Sequence, residues 1–456
     1  MKRILKAILI VLLAVVVLAG GFVGVVWAYS ATYRIPKQAA SIENTTDLVQ
    51  AHGRTLYDAN GKPLQLTGVN AGQLLLQESW MSPFALEPLK NPDGSYVKDK
   101  DNNIQYGEFT EDMFREALKN NPNLNGYSLD ELLNTYYSCF FTEEDFRIIK
   151  EDLQLNAIRF PFFYLDILNE DLTLKSEDVA FSYLDWFISQ AAKYELYIIL
   201  DLHGAPGSQN GYEHSGTAGY TAGLWESKEN VDATVAIWDF VSNHYLNTRP
   251  DLGKWIATYD ILNEPTYTYK GTTNKKCWDV FDRIYDTIRE NGDKHVITMS
   301  ACWEFSNLPN PKDYGWENVQ YQYHWYNWNP DQVPFAVYHV LKDFHNIGRD
   351  YDVPVLIGEF TVFEDKEGWA KELEFFDNRN YSWTIWNYKT CVTGWWNSSW
   401  GVYTCQLKFV TEWEQTKCNV ATCTYEEYLA TCQKTKTENC TTSTLYEVLK
   451  TYAESK

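Results

Sequence analysis

The stretch NAIRFPFFYLDILNEDLTLKSEDVAFSYLDWFISQAAKYELYIILDLHG, residues 156–204, contains two short runs of β-branched and aromatic residues. The runs are residues 156–163 and 197–204, and residues 177–194 between them have the apolar periodicity of a helix. Runs of this length are typical of buried strands, and a helix between two strands is typical of a parallel crossover. The stretch therefore predicts a βαβ unit.

The same alternation of strand and helix extends along most of the chain. Strand-like runs lie at residues 64–71, 156–163, 197–204, 256–265, 295–302, 319–326, 353–360 and 382–389. Helical periodicity follows at residues 177–194, 228–247, 275–291, 331–346 and 366–378. Eight parallel strands with crossover helices predict an α/β fold of the closed (β/α)8 barrel type, whose chemistry lies at the carboxyl ends of the strands. A doubly wound sheet is the alternative, but its Gly-rich phosphate loop is missing from the sequence.

Two insertions interrupt the regular barrel pattern. One covers about residues 72–141 after the first strand, and the other covers about residues 390–440 after the eighth. A last helix is predicted at residues 443–455. We expect both insertions to project over the catalytic face and residues 53–456 to form a single barrel domain, which is within the size range of such barrels.

The amino-terminal residues have the pattern of a membrane segment. Residues 7–28 carry no charge, and Lys2, Arg3 and Lys6 precede them. This length is sufficient to cross a bilayer, and basic residues on the amino-terminal side favour a cytoplasmic amino end. We therefore expect a transmembrane signal anchor at residues 1–29, a stalk at residues 30–52 and a domain on the extracellular face of the membrane. A signal peptide cleaved after residues 26–28 is the alternative.

Composition narrows the class of partner. The formal charge of −22 repels phosphate backbones, so nucleic acid is not expected as a partner. The chain contains 18 Trp, 32 Tyr and 22 Phe, and flat aromatic side chains that tolerate polar surroundings suit a carbohydrate cleft as well as a core. We expect a monomer whose substrate is an oligosaccharide or polysaccharide.

Five of the nine cysteines lie within 36 residues of one another near the carboxyl end. They are Cys405, Cys418, Cys423, Cys432 and Cys440. Neither a Cys-x2-Cys pair nor a neighbouring histidine occurs among them, so local disulfides are favoured over a zinc site, with connectivity left open. The chain also lacks a His-Glu-x-x-His motif, and we expect neither a metal nor a cofactor.

Polar and aromatic side chains of reactive types recur near the predicted strand ends. They are Arg159, His203, Asn263, Glu264, His324, Tyr326, Glu359 and Trp386. Two glutamates on different strands can face each other across a barrel mouth, where one protonates a glycosidic oxygen and the other attacks the anomeric carbon. A retaining mechanism needs their carboxyl groups about 5–5.5 Å apart.

Each of these side chains has an expected role. We expect Glu264 to be the acid/base and to stay protonated, because two close carboxylates resist ionising together. Glu359 is then the nucleophile, with its charge stabilised by Arg159, Tyr326 and a histidine. Asn263 would hold the sugar 2-hydroxyl. Trp386 would form the floor beneath the sugar.

The phrases NAIRFP, DLHG, ILNEP, HWY, IGEF and WTIWNYK, in this order, resemble family 5 glycoside hydrolases of clan A. The resemblance covers roughly residues 54–404 and implies that strands four and seven carry the acid/base and the nucleophile. GVNAGQLLLQESWMSP and DLHGAPGSQNGYEHSG are similar to stretches of fungal exo-β-1,3-glucanases, which implies glucose release from a β-glucan. All eight side chains above fall on the active-site positions of the family, and Glu78 and Trp80 match a substrate-binding pair after strand one.

Several alternatives stay open at this point. The substrate could instead be a β-1,6-glucan, a β-diglycoside, cellulose or mannan, since one fold serves many specificities. Loop shape decides between exo and endo action. Trp395, Trp396 and Trp400, which lie outside the usual pattern, are candidates for a further sugar subsite. A non-catalytic carbohydrate-binding barrel is the remaining possibility.

Overall fold

A computed structural model of the protein describes residues 39–98, 104–217, 219, 221–266, 275–302, 307–327, 351–392, 400–406, 409–411, 414–415 and 417–456, with six positions between 17 and 25. Eight strands within these residues form a closed barrel in which every neighbouring pair is parallel. In chain order the strands are β1 Thr67–Asn70, β2 Ala157–Phe163, β3 Tyr197–Gly204, β4 Ile256–Asp260, β5 Val296–Ser300, β6 Val319–Tyr326, β7 Val355–Thr361 and β8 Ser382–Ile385.

The order of the strands confirms the predicted (β/α)8 barrel. Each strand pairs with the next one along the chain, and β8 returns to β1, with Trp383 opposite Thr67. Every residue of β2 and of β7 is buried. Crossover helices cover the outside of such a barrel and side chains fill its interior, so these strands appear in the sequence as continuous apolar runs rather than alternating ones.

Helices connect the strands largely where the periodicity predicted them. The predicted segments 228–247, 275–291, 366–378 and 443–455 correspond to Lys228–Asn243, Lys275–Glu290, Lys366–Arg379 and Thr444–Glu454. The segment 177–194 forms two helices, Glu177–Ala180 and Ser182–Lys193, and the segment 331–346 lies outside the described residues. Further α-helices are Glu111–Asn120, Leu129–Phe140, Glu143–Arg147, Tyr164–Ile167, Pro250–Gly253, Pro311–Tyr314 and Tyr425–Lys434.

Some predicted strands extend beyond the observed ones. Residues 64–71 contain β1 and also the last residue of Pro63–Leu64, which pairs antiparallel with Thr55–Tyr57 in a small amino-terminal sheet. Residues 382–389 contain β8 and the first residue of Lys389–Val392, which pairs with Tyr403–Gln406 outside the barrel. Residues 256–265 contain β4 and a buried loop. The apolar pattern continues in each case because neighbouring chain buries these residues after the barrel pairing ends.

The predicted stalk is shorter than expected. Gln50–His52 forms a strand paired with Thr55–Tyr57, and the main-chain N–H of Ile42 donates to the carbonyl of Gly61. Gly61 has a φ of +71°, and a Cβ there would lie 1.9 Å from the Ile42 carbonyl oxygen, so only glycine permits this approach. The folded domain therefore begins near Ile42 and not at residue 53.

The predicted anchor at residues 1–29 falls almost entirely outside the described residues. Within the part of the chain that the structure describes, no helix has both the length and the apolar character needed to span a bilayer.

The two insertions contact each other beside the barrel. Phe84–Ala85 of the first insertion pairs in parallel with Cys418–Asn419 of the second. The Tyr428 hydroxyl donates to the carbonyl of Leu132, which connects helices Tyr425–Lys434 and Leu129–Phe140. A disulfide joins Cys405 to Cys440, so the predicted local disulfide is confirmed for this pair. Five further cysteines are free thiols, and they are Cys139, Cys391, Cys418, Cys423 and Cys432.

A buried ion pair fastens the second insertion to the helix before β2. Lys389 Nζ lies 3.0 Å from Asp145 Oδ1, and neither side chain has any exposed surface. Asp145 also accepts hydrogen bonds from the hydroxyls of Tyr388 and Thr437. The other oxygen of Asp145 caps its own helix by accepting from the main chain of Thr142 at 2.6 Å. One carboxylate thus connects three segments of the chain.

Candidate active site

The carboxyl ends of the strands bring the eight predicted site residues into one connected network. Arg159 comes from β2, His203 from β3, His324 and Tyr326 from β6, and Glu359 from β7. The remaining three lie in the loops that follow β4 and β8, and they are Asn263, Glu264 and Trp386. The mouth of a barrel is where loops after parallel strands converge, which explains how residues distant in sequence meet here.

Two buried glutamates face each other at the centre of this network. His324 Nδ1 lies 2.5 Å from Glu264 Oε1 and 3.3 Å from Glu359 Oε2. One ring nitrogen of His324 and one carboxylate oxygen of each glutamate all lie within 4.8 Å of one another. That spacing would also suit a metal ion, but Arg159 and Tyr326 already bind the oxygens of Glu359. We therefore interpret the group as a carboxylate pair connected by an imidazole, with a spacing close to the retaining geometry.

Glu359 accepts hydrogen bonds at both of its carboxylate oxygens. Arg159 Nη1 donates to Oε1 at 3.0 Å, and the Tyr326 hydroxyl donates to Oε2 at 3.1 Å. His324 adds a third contact, and the carboxylates of Glu359 and Glu264 raise the pKa of its ring, although burial opposes this. A carboxylate held by charged and neutral donors is available as a nucleophile.

Arg159 is itself fixed by residues from three other strands. Its Nε donates to Asp260 at 2.9 Å, and Nη2 lies 3.0 Å from Asp201. Nη1 also donates to the side chain of Asn70 at 3.0 Å. Burial raises the pKa of Asp201 and of Asp260 to about 6, against the opposing charge of Arg159. Both carboxylates are therefore largely ionised at neutral pH and neutralise the guanidinium, which leaves its geometry rigid.

His203 and Asn263 form a chain of oriented hydrogen bonds. Burial lowers the pKa of His203 to about 3, so its ring is neutral. Nδ1 lies 2.6 Å from Asp201 Oδ2, which requires the hydrogen on Nδ1, and Nε2 then accepts from Asn263 Nδ2 at 3.2 Å. The Asn263 oxygen accepts from Arg159 Nη2 at 2.8 Å. The Asn263 amide is thus held in one orientation.

Glu264 lies in a constrained loop after β4. Its φ is +40°, a conformation that non-glycine residues rarely adopt. Asn210 Nδ2 donates to the Glu264 carbonyl at 3.2 Å, and Gln209 Nε2 donates to the Asn263 carbonyl at 2.9 Å. The loop after β3 therefore holds the loop after β4 in this conformation.

The expectation that Glu264 stays protonated was wrong for this state of the protein. Burial raises the pKa of Glu264, but the charges and hydrogen bonds of His324 and His214 lower it further, to well below its usual value. His214 Nε2 lies 2.9 Å from Glu264 Oε2. The neighbouring carboxylate is not the only group that acts on Glu264, because two imidazoles contact its oxygens.

Glu78 and Trp80 lie together in the first insertion. Trp80 Nε1 donates to Glu78 Oε2 at 2.6 Å, and burial raises the pKa of Glu78 to about 8. The Trp80 ring contacts the Trp400 ring edge-on, with centroids 5.1 Å apart, and Trp400 contacts Tyr326 of the network. Trp386 stacks on the His203 ring at 5.4 Å. Trp395 and Trp396 lie outside the described residues.

Sequence reasoning missed several residues that position the network. Asp201 and Asp260 lie in the phrases DLHG and TYDILNEP, and each is the charged residue of an otherwise apolar strand, which was a usable signal. The Gln322 side chain donates to Asp260 at 2.8 Å. It also packs against Gly358, where a Cβ would lie 1.9 Å from the amide oxygen of Gln322. His214 carried no such signal, because it belongs to a polar loop.

A (β/α)8 barrel with a buried carboxylate pair at its mouth has the arrangement that a glycosidase requires. Residues 115–391, more than half of the chain, match the model of the Cellulase family, described as glycosyl hydrolase family 5. The chain belongs to this family.

The chain is similar to named proteins of this kind. It is 29% identical over 284 residues to a β-xylosidase of Phanerodontia chrysosporium, covering 56% of this chain and 57% of the relative. It is 26% identical over 281 residues to glucan 1,3-beta-glucosidase 2 of Wickerhamomyces anomalus, covering 60% and 59%. The chain thus spans about six-tenths of the length of these curated relatives.

A solved structure shares the fold. The rutinosidase of Aspergillus niger superposes with a TM-score of 0.51 at 16% identity, covering 80% of this chain and 96% of that one. Similarity at this level of identity supports the barrel architecture alone.

Proposed function

We propose that this chain is an exo-acting, retaining β-glucosidase that releases glucose from the non-reducing end of a β-1,3-linked glucan. The observation that carries the retaining mechanism is the spacing of Glu264 and Glu359, since a carboxylate oxygen of one lies within 4.8 Å of a carboxylate oxygen of the other. Inverting enzymes need about 6.5–9.5 Å between the carboxyl groups to admit a water molecule. The observed separation lies below that range and close to the roughly 5–5.5 Å of retaining enzymes.

In this mechanism Glu359 attacks the anomeric carbon while Glu264 gives a proton to the leaving oxygen, and a glycosyl ester forms on Glu359. Glu264 then removes a proton from water, which attacks the anomeric carbon and frees Glu359. The Asn263 amide, oriented by Arg159 and His203, is placed to bind the 2-hydroxyl beside the nucleophile. Hydrogen bonds to that hydroxyl strengthen in the transition state.

The choice of glucan rests on similarity and on the first insertion. Several relatives are named glucan 1,3-beta-glucosidases, and the stretches around Glu78 and Asn210 carry the resemblance to that group. Glu78 and Trp80 lie close enough to the nucleophile for the charge of Glu359 to act on Glu78. We infer that this pair blocks one end of the cleft, which would produce exo action. A β-xyloside is the second candidate, favoured by the name of one relative.

Removal of each glutamate tests the assigned roles. We expect Glu359→Ala to reduce kcat on an aryl β-glucoside by at least about a thousandfold, because the covalent step is lost. Azide should restore turnover and yield an α-glucosyl azide. Glu264→Ala with azide should instead yield the β-glucosyl azide, because azide then attacks the glycosyl ester. Glu447→Ala, an exposed glutamate of the last helix, is the matched control and should retain activity.

The substrate is tested by the products. Monomeric glucose released from laminarin, first detected by NMR as the β-anomer, supports the proposal. Faster hydrolysis of an aryl β-xyloside than of the glucoside would favour the second candidate. An α-anomer as the first product would contradict the retaining mechanism, and glucose release from pustulan alone would contradict the β-1,3 linkage.

We also propose that residues 1–29 anchor a monomeric enzyme to the membrane, with the amino end cytoplasmic and the barrel on the extracellular face. The uncharged segment 7–28 and the basic residues before it support this orientation. The Cys405–Cys440 disulfide is in keeping with an oxidising compartment.

A further inference from the structure

Both carboxylate oxygens of Glu264 are in contact with histidine nitrogens. Oε1 meets His324 Nδ1 at 2.5 Å, and Oε2 meets His214 Nε2 at 2.9 Å. The two histidines differ in accessibility, since the side chain of His324 has no exposed surface whereas that of His214 is 20% exposed. Oε1 is therefore held from the barrel interior, and Oε2 faces the open side of the mouth together with His214.

This arrangement has a consequence for proton delivery. An acid/base must bring one oxygen within hydrogen-bonding distance of the leaving oxygen. Oε1 is occupied by a buried ring, so Oε2 is the oxygen that the leaving group can reach. His214 thus occupies the atom that has to deliver the proton, and it lies on the leaving-group side of the carboxylate.

We propose that His214 is a positioning residue that holds the proton which Glu264 delivers to the leaving group. The inference rests on the proposed role of Glu264 as acid/base. His214 lies in the turn Glu213–Ser215 after β3, where its ring stacks on Tyr212 with centroids 5.4 Å apart. Asn210 Nδ2 donates to the Glu264 carbonyl at 3.2 Å, and Asn210 Oδ1 accepts from the main-chain N–H of Tyr212 at 2.9 Å, so the turn and the glutamate are positioned together.

The charged groups around His214 favour a proton on its ring. Glu264 faces it from the loop after β4, Glu78 from the first insertion, and Glu213 from its own turn, while His203 lies 6.5 Å away between ring centroids. Burial opposes the charge of His214, but its hydrogen bond to Glu264 and the charges of Glu264 and Glu213 raise its pKa to about 10. His203 adds no competing charge, because its ring is neutral.

The proton passes in both directions during one turnover. In the first step it moves from His214 Nε2 to Glu264 Oε2 and on to the glycosidic oxygen. The bond from that oxygen to the anomeric carbon breaks, its electron pair stays on the oxygen, and Glu359 forms the new bond. In the second step water attacks the anomeric carbon, its proton returns through Glu264 to His214, and the electron pair of the ester bond returns to Glu359.

The test compares variants of the full chain on two glucosides that differ in leaving group. A 2,4-dinitrophenyl glucoside needs little protonation, whereas laminaribiose needs a full proton. We expect His214→Asn to lower kcat/KM for laminaribiose by about ten- to a hundredfold. The same variant should lower kcat/KM for the dinitrophenyl glucoside by less than about threefold. The basic limb of the laminaribiose pH profile should move to lower pH by about one unit or more.

Further variants separate this role from a structural one. His214→Gln keeps an amide donor near the position of Nε2 but cannot exchange a proton, so it should behave like His214→Asn. His52→Asn, an exposed histidine of the amino-terminal sheet, is the matched control and should behave like the wild type. Preserved activity on the dinitrophenyl glucoside shows that a variant is folded.

Three results would overturn the inference. They are an unchanged basic limb in His214→Asn, an equal loss on both glucosides, and wild-type behaviour of His214→Gln. Glu264→Ala distinguishes failure of the underlying proposal. If that variant hydrolyses laminaribiose as well as the wild type does, Glu264 is not the acid/base, and the role given to His214 fails with it.

Discussion

Glu78 illustrates how burial sets the chemistry of a single side chain. Its pKa is raised to about 8, chiefly by burial, with Glu213 and Glu359 acting in the same direction and His214 and Trp80 opposing it. The carboxyl group is therefore mostly neutral at pH 7 and can donate a hydrogen bond to a sugar hydroxyl. A carboxylate in the same position could only accept one.

This pKa makes stability depend on pH in a defined direction. Between the ordinary glutamate value of 4.5 and about 8, the folded protein binds more protons than the unfolded chain, so unfolding free energy falls as pH rises. Between pH 5 and 8 the unfolding free energy of the wild type should fall more than that of Glu78→Gln. We expect the two decreases to differ by on the order of 3 kcal/mol. Urea titrations at several pH values measure the difference. Superimposable pH dependences of the two proteins would contradict the prediction.

The identities of the site residues could be predicted from the sequence, but their charge states could not. Each strand end contributes a residue type that its chemistry requires, and phrases such as ILNEP and IGEF mark Glu264 and Glu359. The protonation of Glu264 depends on His214, which comes from a loop whose course no periodicity describes. A pKa depends on distances between side chains, and those exist only after folding.

At the scale of elements, the buried pair of Lys389 and Asp145 joins the second insertion to the barrel. Asp145→Asn would leave the Lys389 ammonium unpaired in a site without exposed surface. We expect a loss of about 3–5 kcal/mol in unfolding free energy, because a buried charge loses its partner. The double variant Asp145→Asn, Lys389→Met should recover part of this loss, and urea denaturation measures both.

An exposed ion pair provides the control for that experiment. Asp251 pairs with Arg249 at 2.9 Å, and its side chain is 61% exposed. Asp251→Asn should change unfolding free energy by less than about 1 kcal/mol, because solvent screens the pair. If Asp145→Asn had an equally small effect, the buried pair would not be holding the insertion.

Element existence was easier to predict than element boundaries. β2 and β3 were apparent as apolar runs because helices cover them on the outside. The end of β8 was not apparent from the sequence, because Lys389–Val392 continues the same apolar pattern. That segment pairs with Tyr403–Gln406 outside the barrel. Hydrophobic periodicity in a sequence indicates which residues are buried. It does not indicate which strand each strand pairs with.

At the scale of the whole molecule, the proposed anchor can be separated from the barrel. The main-chain N–H of Ile42 donates to the Gly61 carbonyl, so a chain beginning at Ser41 keeps this contact with the domain. We expect this shorter chain to be soluble, monomeric and as active as the full chain. The full chain should sediment with membranes and resist alkaline extraction, which fractionation and size-exclusion chromatography measure.

Two outcomes would contradict this view of the molecule. A full chain released into the medium with a new amino terminus near Ala28 would show a cleaved signal peptide instead of an anchor. Loss of folding in the chain beginning at Ser41 would show that the removed segment supports the barrel.

The contact between Phe84–Ala85 and Cys418–Asn419 joins segments from opposite ends of the domain, and so does the pairing of β8 with β1. During biosynthesis the ribosome must complete nearly all of the polypeptide before either contact can form. The nascent chain therefore presents the unpaired edge of β1 throughout translation, and contacts so distant along the chain make folding slow and prone to aggregation. The contact between the two insertions and the closure of the barrel are therefore among the last parts of the fold to assemble.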